Sequence, residues 1–135
     1  MAFRATRRLH HLRLRAAATR KTRDATHRLI SGIDAIDGLH VLGHPDSSLV
    51  RFVADEVDLF EVADELRARG WYVQPQLAFG SLPRNLHLTV TAASQDRVEP
   101  LLADLAVAVE ARGRGRSRTL PQAWPWRCRH SIPPR

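Results

Sequence analysis

Trp71, Tyr72, Gln74, Gln76, Arg84 and His87 fall within seventeen residues, in the stretch WYVQPQLAFGSLPRNLH. Arginine carries a planar fork of donors, so Arg84 is able to hold a carboxylate or phosphate through two parallel hydrogen bonds. Gln74, Gln76 and His87 offer further polar contacts around the same loop, which Pro75 and Pro83 bracket. Trp71 and Tyr72 are expected to pack between a sheet and a helix.

Other residues capable of chemistry lack the spacing that chemistry needs. His10 and His11 are adjacent and point to different sides of a helix, while His40 and His44 have no third ligand at zinc spacing. No Ser/His/Asp set sits on a recognisable nucleophile turn. There is no phosphate-loop pattern and no GxGxxG. Asp55, Glu56, Asp58, Glu61, Asp64 and Glu65 read as a helix start and its solvated face. RGRGRSR, residues 112–118, could grip phosphates through charge alone, or serve as a solubilising tail.

The elements that must position the loop follow from periodicity. Residues 12–36 have helical spacing, with Ala18, Thr22, Ala25, Leu29 and Ile33 on one stripe and Asp37-Gly38 as the stop. Leu39 to Leu42 and Ser48 to Val53 read as an antiparallel strand pair joined by the turn at Gly43-His44-Pro45-Asp46. Asp58 caps a second helix, with Glu61 completing a capping-box pattern, Leu59, Val62, Ala63 and Leu66 as its buried stripe, and Gly70 as its stop. A third strand starts over Trp71–Gln74, and Pro75 limits it to a short one or an edge. Leu86, Leu88 and Val90 alternate with His87, Thr89 and Thr91, the mark of a half-buried strand. Ser94 opens a last helix carrying Val98, Leu101, Leu102, Leu105 and Val109, which Pro100 should kink or delay. The order implies an α+β fold, a small and mainly antiparallel sheet with helices on one face. Its other face is polar enough to be wet or to meet another domain.

Length and charge set the outer limits. The chain has 135 residues and a formal net charge of +7, enough for one domain with its own core. Residues 1–30 hold nine basic and one acidic side chain, residues 31–110 five and thirteen, and residues 111–135 seven and none. The basicity therefore lives at the two ends, around an acidic centre. That argues against a folded basic nucleic-acid surface and leaves weak, non-specific polyanion binding by the ends. The single cysteine, Cys128, allows no intramolecular disulfide and favours a reducing compartment. No run approaches the roughly 20 apolar residues of a membrane span, and the basic start lacks a signal core, so a cytoplasmic location is expected ahead of organelle import.

Three phrases in order, AIDGLHVLG, VDLFEVADEL and RGWYVQPQ, carry a family resemblance. Residues 12–111 resemble the C-terminal small domain of pyridoxal-phosphate-dependent enzymes of the aspartate-aminotransferase fold. They are most similar to the sphingosine-1-phosphate-lyase-like branch of the group II decarboxylases. The resemblance sets off the small domain over 12–111 from a basic extension over 1–11, and the Arg/Pro-rich tail over 112–135, without any period, is expected to be disordered. The resemblance also implies a carbon–carbon lyase or decarboxylase whose larger domain, absent from this sequence, supplies the cofactor lysine, a carboxylate for the pyridine nitrogen and a phosphate-binding turn. The only lysine here is Lys21, in the Arg-rich first helix, so no cofactor residue is carried over. The chain thus resembles a detached, truncated piece that binds no pyridoxal phosphate alone and lacks catalytic and metal-binding residues. Its expected partners are a separate large-domain polypeptide, which it could complement as a subunit, or further copies of itself. In a full-length relative the loop would approach the substrate entrance, with Gln74, Gln76, Arg84 and His87 nearest its polar groups. A basic-ended nucleic-acid-binding protein is the alternative from a different class.

Overall fold

The computed structural model describes residues 2–113, with side chains from residue 17 onward. The tail from residue 114, Cys128 and the side chains of His10 and His11 lie outside the described residues. Elements run in the order α1 (Ala2–Asp34), β1 (Leu39–Val41), β2 (Leu49–Ala54), α2 (Leu59–Ala68), β3 (Gln74–Gln76), β4 (Asn85–Thr89), a 3₁₀ turn (Gln95–Arg97) and α3 (Val98–Gly113). The four strands form one sheet in the order β1-β2-β4-β3, with every neighbouring pair antiparallel. Two antiparallel steps leave β2 and β3 parallel, with β4 between them. This is the expected α+β layer. Among the described residues no helix is long and apolar enough to cross a membrane.

The period-2 pattern of β4 sorts the faces. Leu86 and Leu88 are buried opposite Phe52 and Val50 of β2, and all four join one core with Ala25, Leu29 and Ile33 of α1. Val62 and Leu66 of α2 and Leu105 of α3 close the same cluster. Full burial of a side chain such as Phe52 contributes about 1.5–3 kcal/mol. On the opposite face the register sets Arg51, His87 and Gln74 side by side across β2, β4 and β3. Gln74 and Arg51 are exposed there and His87 is half-buried.

Several boundaries differ from the sequence pattern. The helix α1 opens at Ala2 rather than at residue 12, because residues 2–20 contain neither Gly nor Pro and are rich in Ala, Leu and Arg, good helix formers. Ala18 is exposed, and Thr26 lies in the interior instead, its hydroxyl donating to the Thr22 carbonyl at 2.8 Å. The last helix starts at Val98 after a 3₁₀ turn, so Pro100 sits in its first turn, where a missing N–H costs nothing. It runs on to Gly113, past the residue 112 at which the tail was expected to begin.

Candidate functional site

The geometry around Trp71 begins with how α2 ends. Gly70 takes a left-handed φ of 84°, which glycine adopts without a Cβ penalty. The Gly70 N–H donates to the Arg67 carbonyl at 3.0 Å and the Trp71 N–H to the Leu66 carbonyl at 2.9 Å. This pair of bonds is a Schellman stop, and it ties Trp71 to the helix rather than to the sheet. The third strand therefore starts at Gln74, not at Trp71, and Pro75 occupies the sheet edge, as its missing donor requires.

Trp71 then reaches α3. Its Nε1–H donates to Asp104 Oδ2 at 2.6 Å, and Asp104 Oδ1 accepts from Arg69 Nη1 at 3.4 Å. The Arg97 guanidinium stacks over the Trp71 ring, 4.3 Å from its centroid, within cation–π range. Tyr72 is 78% exposed and borders a cleft at the sheet edge, contrary to the expectation that it packs between sheet and helix. With Trp71 held by the helix stop, the next residue has no layer left to enter.

Because Trp71 and Tyr72 peel away from β4, a cleft of about 260 Å³ opens at the sheet edge. Trp71, Gln74, His87, Thr89 and Arg97 line it, over a floor that includes Leu88 and Leu101. His87 Nε2 donates to Gln74 Oε1 at 3.0 Å, leaving the Gln74 amide N–H groups as donors. A larger cleft of about 750 Å³ is acidic, lined by Asp37, Asp55, Glu56 and Glu110. Another of about 700 Å³ beside α1 mixes Arg23, His27 and Asp46. Among the described residues no three His, Cys, Asp or Glu side chains are grouped as a metal site needs.

Of the four residues placed by the sequence near a substrate entrance, Gln74 and His87 come together in the edge cleft. Gln76 lies two residues further along β3, in register with Asn85. Arg84 turns to the start of α2. Its guanidinium carbon is 5.0 Å from the Phe60 centroid, and Nη1 is 4.0 Å from Asp58 Oδ2. Sequence reasoning missed Arg97, because the stack joins residues 26 positions apart and neither has a local motif. One signal was available: Arg97 is one of only five basic residues in the acidic span 31–110.

No family model matches the chain. It is similar to the sphingosine-1-phosphate lyase of Oryza sativa subsp. japonica, 34% identical over 87 residues, which is 64% of this chain and 15% of that protein. Among solved structures, the sphingosine-1-phosphate lyase of Burkholderia pseudomallei matches with a TM-score of 0.66 and 28% identity, covering 73% of this chain and 22% of the other. The glutamate decarboxylase of Lactobacillus brevis shares the fold, with a TM-score of 0.64 at 20% identity over 73% of this chain and 24% of its own. The fold is thus that of the small C-terminal domain of group II decarboxylases and their relatives. Within that class, the chain corresponds in sequence and structure to a part of sphingosine-1-phosphate lyases. It spans less than a quarter of the length of the proteins it matches.

Proposed function

We propose that residues 12–111 act as the small domain of a pyridoxal-phosphate-dependent lyase or decarboxylase and are catalytically incomplete without a cofactor-binding large domain. The observation that carries this reading is the proportion of the match: most of this chain aligns with only 15% of a lyase. When bound, the cofactor of the family supplies the electron sink for bond cleavage. The residues of this chain do not fit it. The one lysine, Lys21, stands exposed on α1 and is not among the residues lining the three clefts. No chemistry through the cofactor follows from these residues.

The contribution of this domain is then positional. Gln74, Gln76, Arg84 and His87 would border the path by which substrate reaches a neighbouring domain. The loop between β3 and β4 also leaves Leu77 and Phe79 68% and 84% exposed, apolar surface that a large domain would cover. A chimera tests the proposal: residues 12–111 replace the matching segment of the Burkholderia pseudomallei lyase. The expected product retains cofactor and measurable lyase activity. A chimera that folds, by circular dichroism, yet retains neither would overturn the reading.

A further inference from the structure

Charge pairing separates the basic residues of the acidic span. Arg67, Arg69 and Arg84 each have a carboxylate partner, to Asp64, to Glu65 and Asp104, and to Asp58 respectively. Arg51 and Arg97 have none among the described residues, although the domain around them carries excess acid, and of the two only Arg97 lines the edge cleft. The Arg97 guanidinium packs on the Trp71 face, which leaves its N–H edge free to donate. The stacking ring is itself fixed by Asp104, so the cation rests on an anchored platform.

The rest of the cleft is also rich in donors. The Val90 N–H donates to the Ser48 carbonyl on the β2 side. Along an antiparallel strand successive residues turn their backbone groups to opposite neighbours, so Thr89 directs its N–H toward β3. The ladder between β3 and β4 ends at the Gln74–His87 pair, and Thr89 therefore faces the cleft with no strand opposite. The Gln74 amide donors lie beside it, and no acidic residue lines the cleft.

We propose that this edge cleft is a binding site for a small organic anion, whose phosphate or carboxylate is held by Arg97, the Thr89 N–H and the Gln74 amide. Arg97 supplies the charge and two parallel donors. Trp71, Leu88 and Leu101 form the apolar wall against which a short organic group rests, in a cleft of about 260 Å³ that falls below the roughly 300–1,000 Å³ of drug-sized sites and so admits only a small ion. The inference goes beyond the family reading and does not depend on it, since every group belongs to this chain.

The test is a nuclear magnetic resonance titration of the full chain with inorganic phosphate and, separately, butyrate, following backbone amides and arginine Nε–H groups. Saturable shifts centred on Arg97 Nε–H and Thr89 N–H are expected, and the tighter probe tells which oxyanion the site prefers. Arg97→Gln should weaken binding about tenfold or more, the loss of a charged hydrogen bond. Arg97→Lys keeps the charge without the planar fork and should fall between it and the wild type. Arg67→Gln, on the exposed face of α2, should bind as the wild type does. Shifts confined to the basic residues of α1, or equal affinity in the Arg97 variants, would overturn the proposal.

Discussion

Asp104→Ala removes the acceptor that holds Trp71, and its cost can be worked from the geometry. The Nε1–Oδ2 distance of 2.6 Å marks a strong charge-assisted bond, a kind worth about 1.5–3 kcal/mol. The Asp104 side chain is 33% exposed, so water replaces part of the loss and the lower end applies, about 1.5 kcal/mol. The accompanying Arg69 pair at 3.4 Å is partly solvated and adds about 0.5 kcal/mol. The total is about 2 kcal/mol, a shift of about 1 M in urea midpoint for a domain of this size, at unchanged m. Asp104→Asn, which keeps a neutral acceptor, should lose about half as much. Trp71→Phe keeps the ring but not the donor. A double-mutant cycle with Asp104→Ala, followed by far-ultraviolet circular dichroism, should give a coupling of about 1 kcal/mol. A coupling within the ~0.5 kcal/mol scatter of independent sites would refute the idea that this bond anchors the cleft wall.

A side chain added at Gly32 would strike Leu102 of α3, whose Cγ lies 3.0 Å from the position of a Cβ. Gly32→Val should therefore lower stability by about 2 kcal/mol, overpacking outweighing the gain in helix propensity, and a thermal melt reads this directly. Asp58 Oδ1 accepts the Phe60 N–H at 2.9 Å at the start of α2. Asp58→Ala should cost about 1 kcal/mol and Asp58→Asn much less, measured by urea unfolding. Phe52→Ala, at a fully buried position in the centre of the sheet, should cost about 3–5 kcal/mol in the same assay.

These sites also show which parts of the structure could be read from sequence. Asp58 and Gly70 mark the ends of α2 by local chemistry, a side-chain cap and a left-handed stop, and both signals are written within a few residues. The alternation of Leu86, His87, Leu88 and Thr89 is likewise local, and so is the edge position that Pro75 demands. The departures come from tertiary competition. Trp71 looked like a strand residue until the Leu66 carbonyl claimed its N–H. Arg84, read as a donor for a carboxylate or phosphate, lies beside Phe60 and Asp58, an arrangement its local sequence does not announce. Arg97, bland in sequence, gains its importance only because α3 is packed against the end of α2. The candidate site was legible in Gln74 and His87, two neighbours across a ladder, and illegible in its cation.

The proposed role is that of a small domain without the cofactor chemistry of the enzymes this chain resembles. Its most direct test is to mix the purified 135-residue chain with pyridoxal phosphate, dialyse, and record the visible spectrum. No cofactor absorbance should remain after dialysis. A stoichiometric band that survives dialysis, and disappears in a Lys21→Ala variant that still folds, would contradict it.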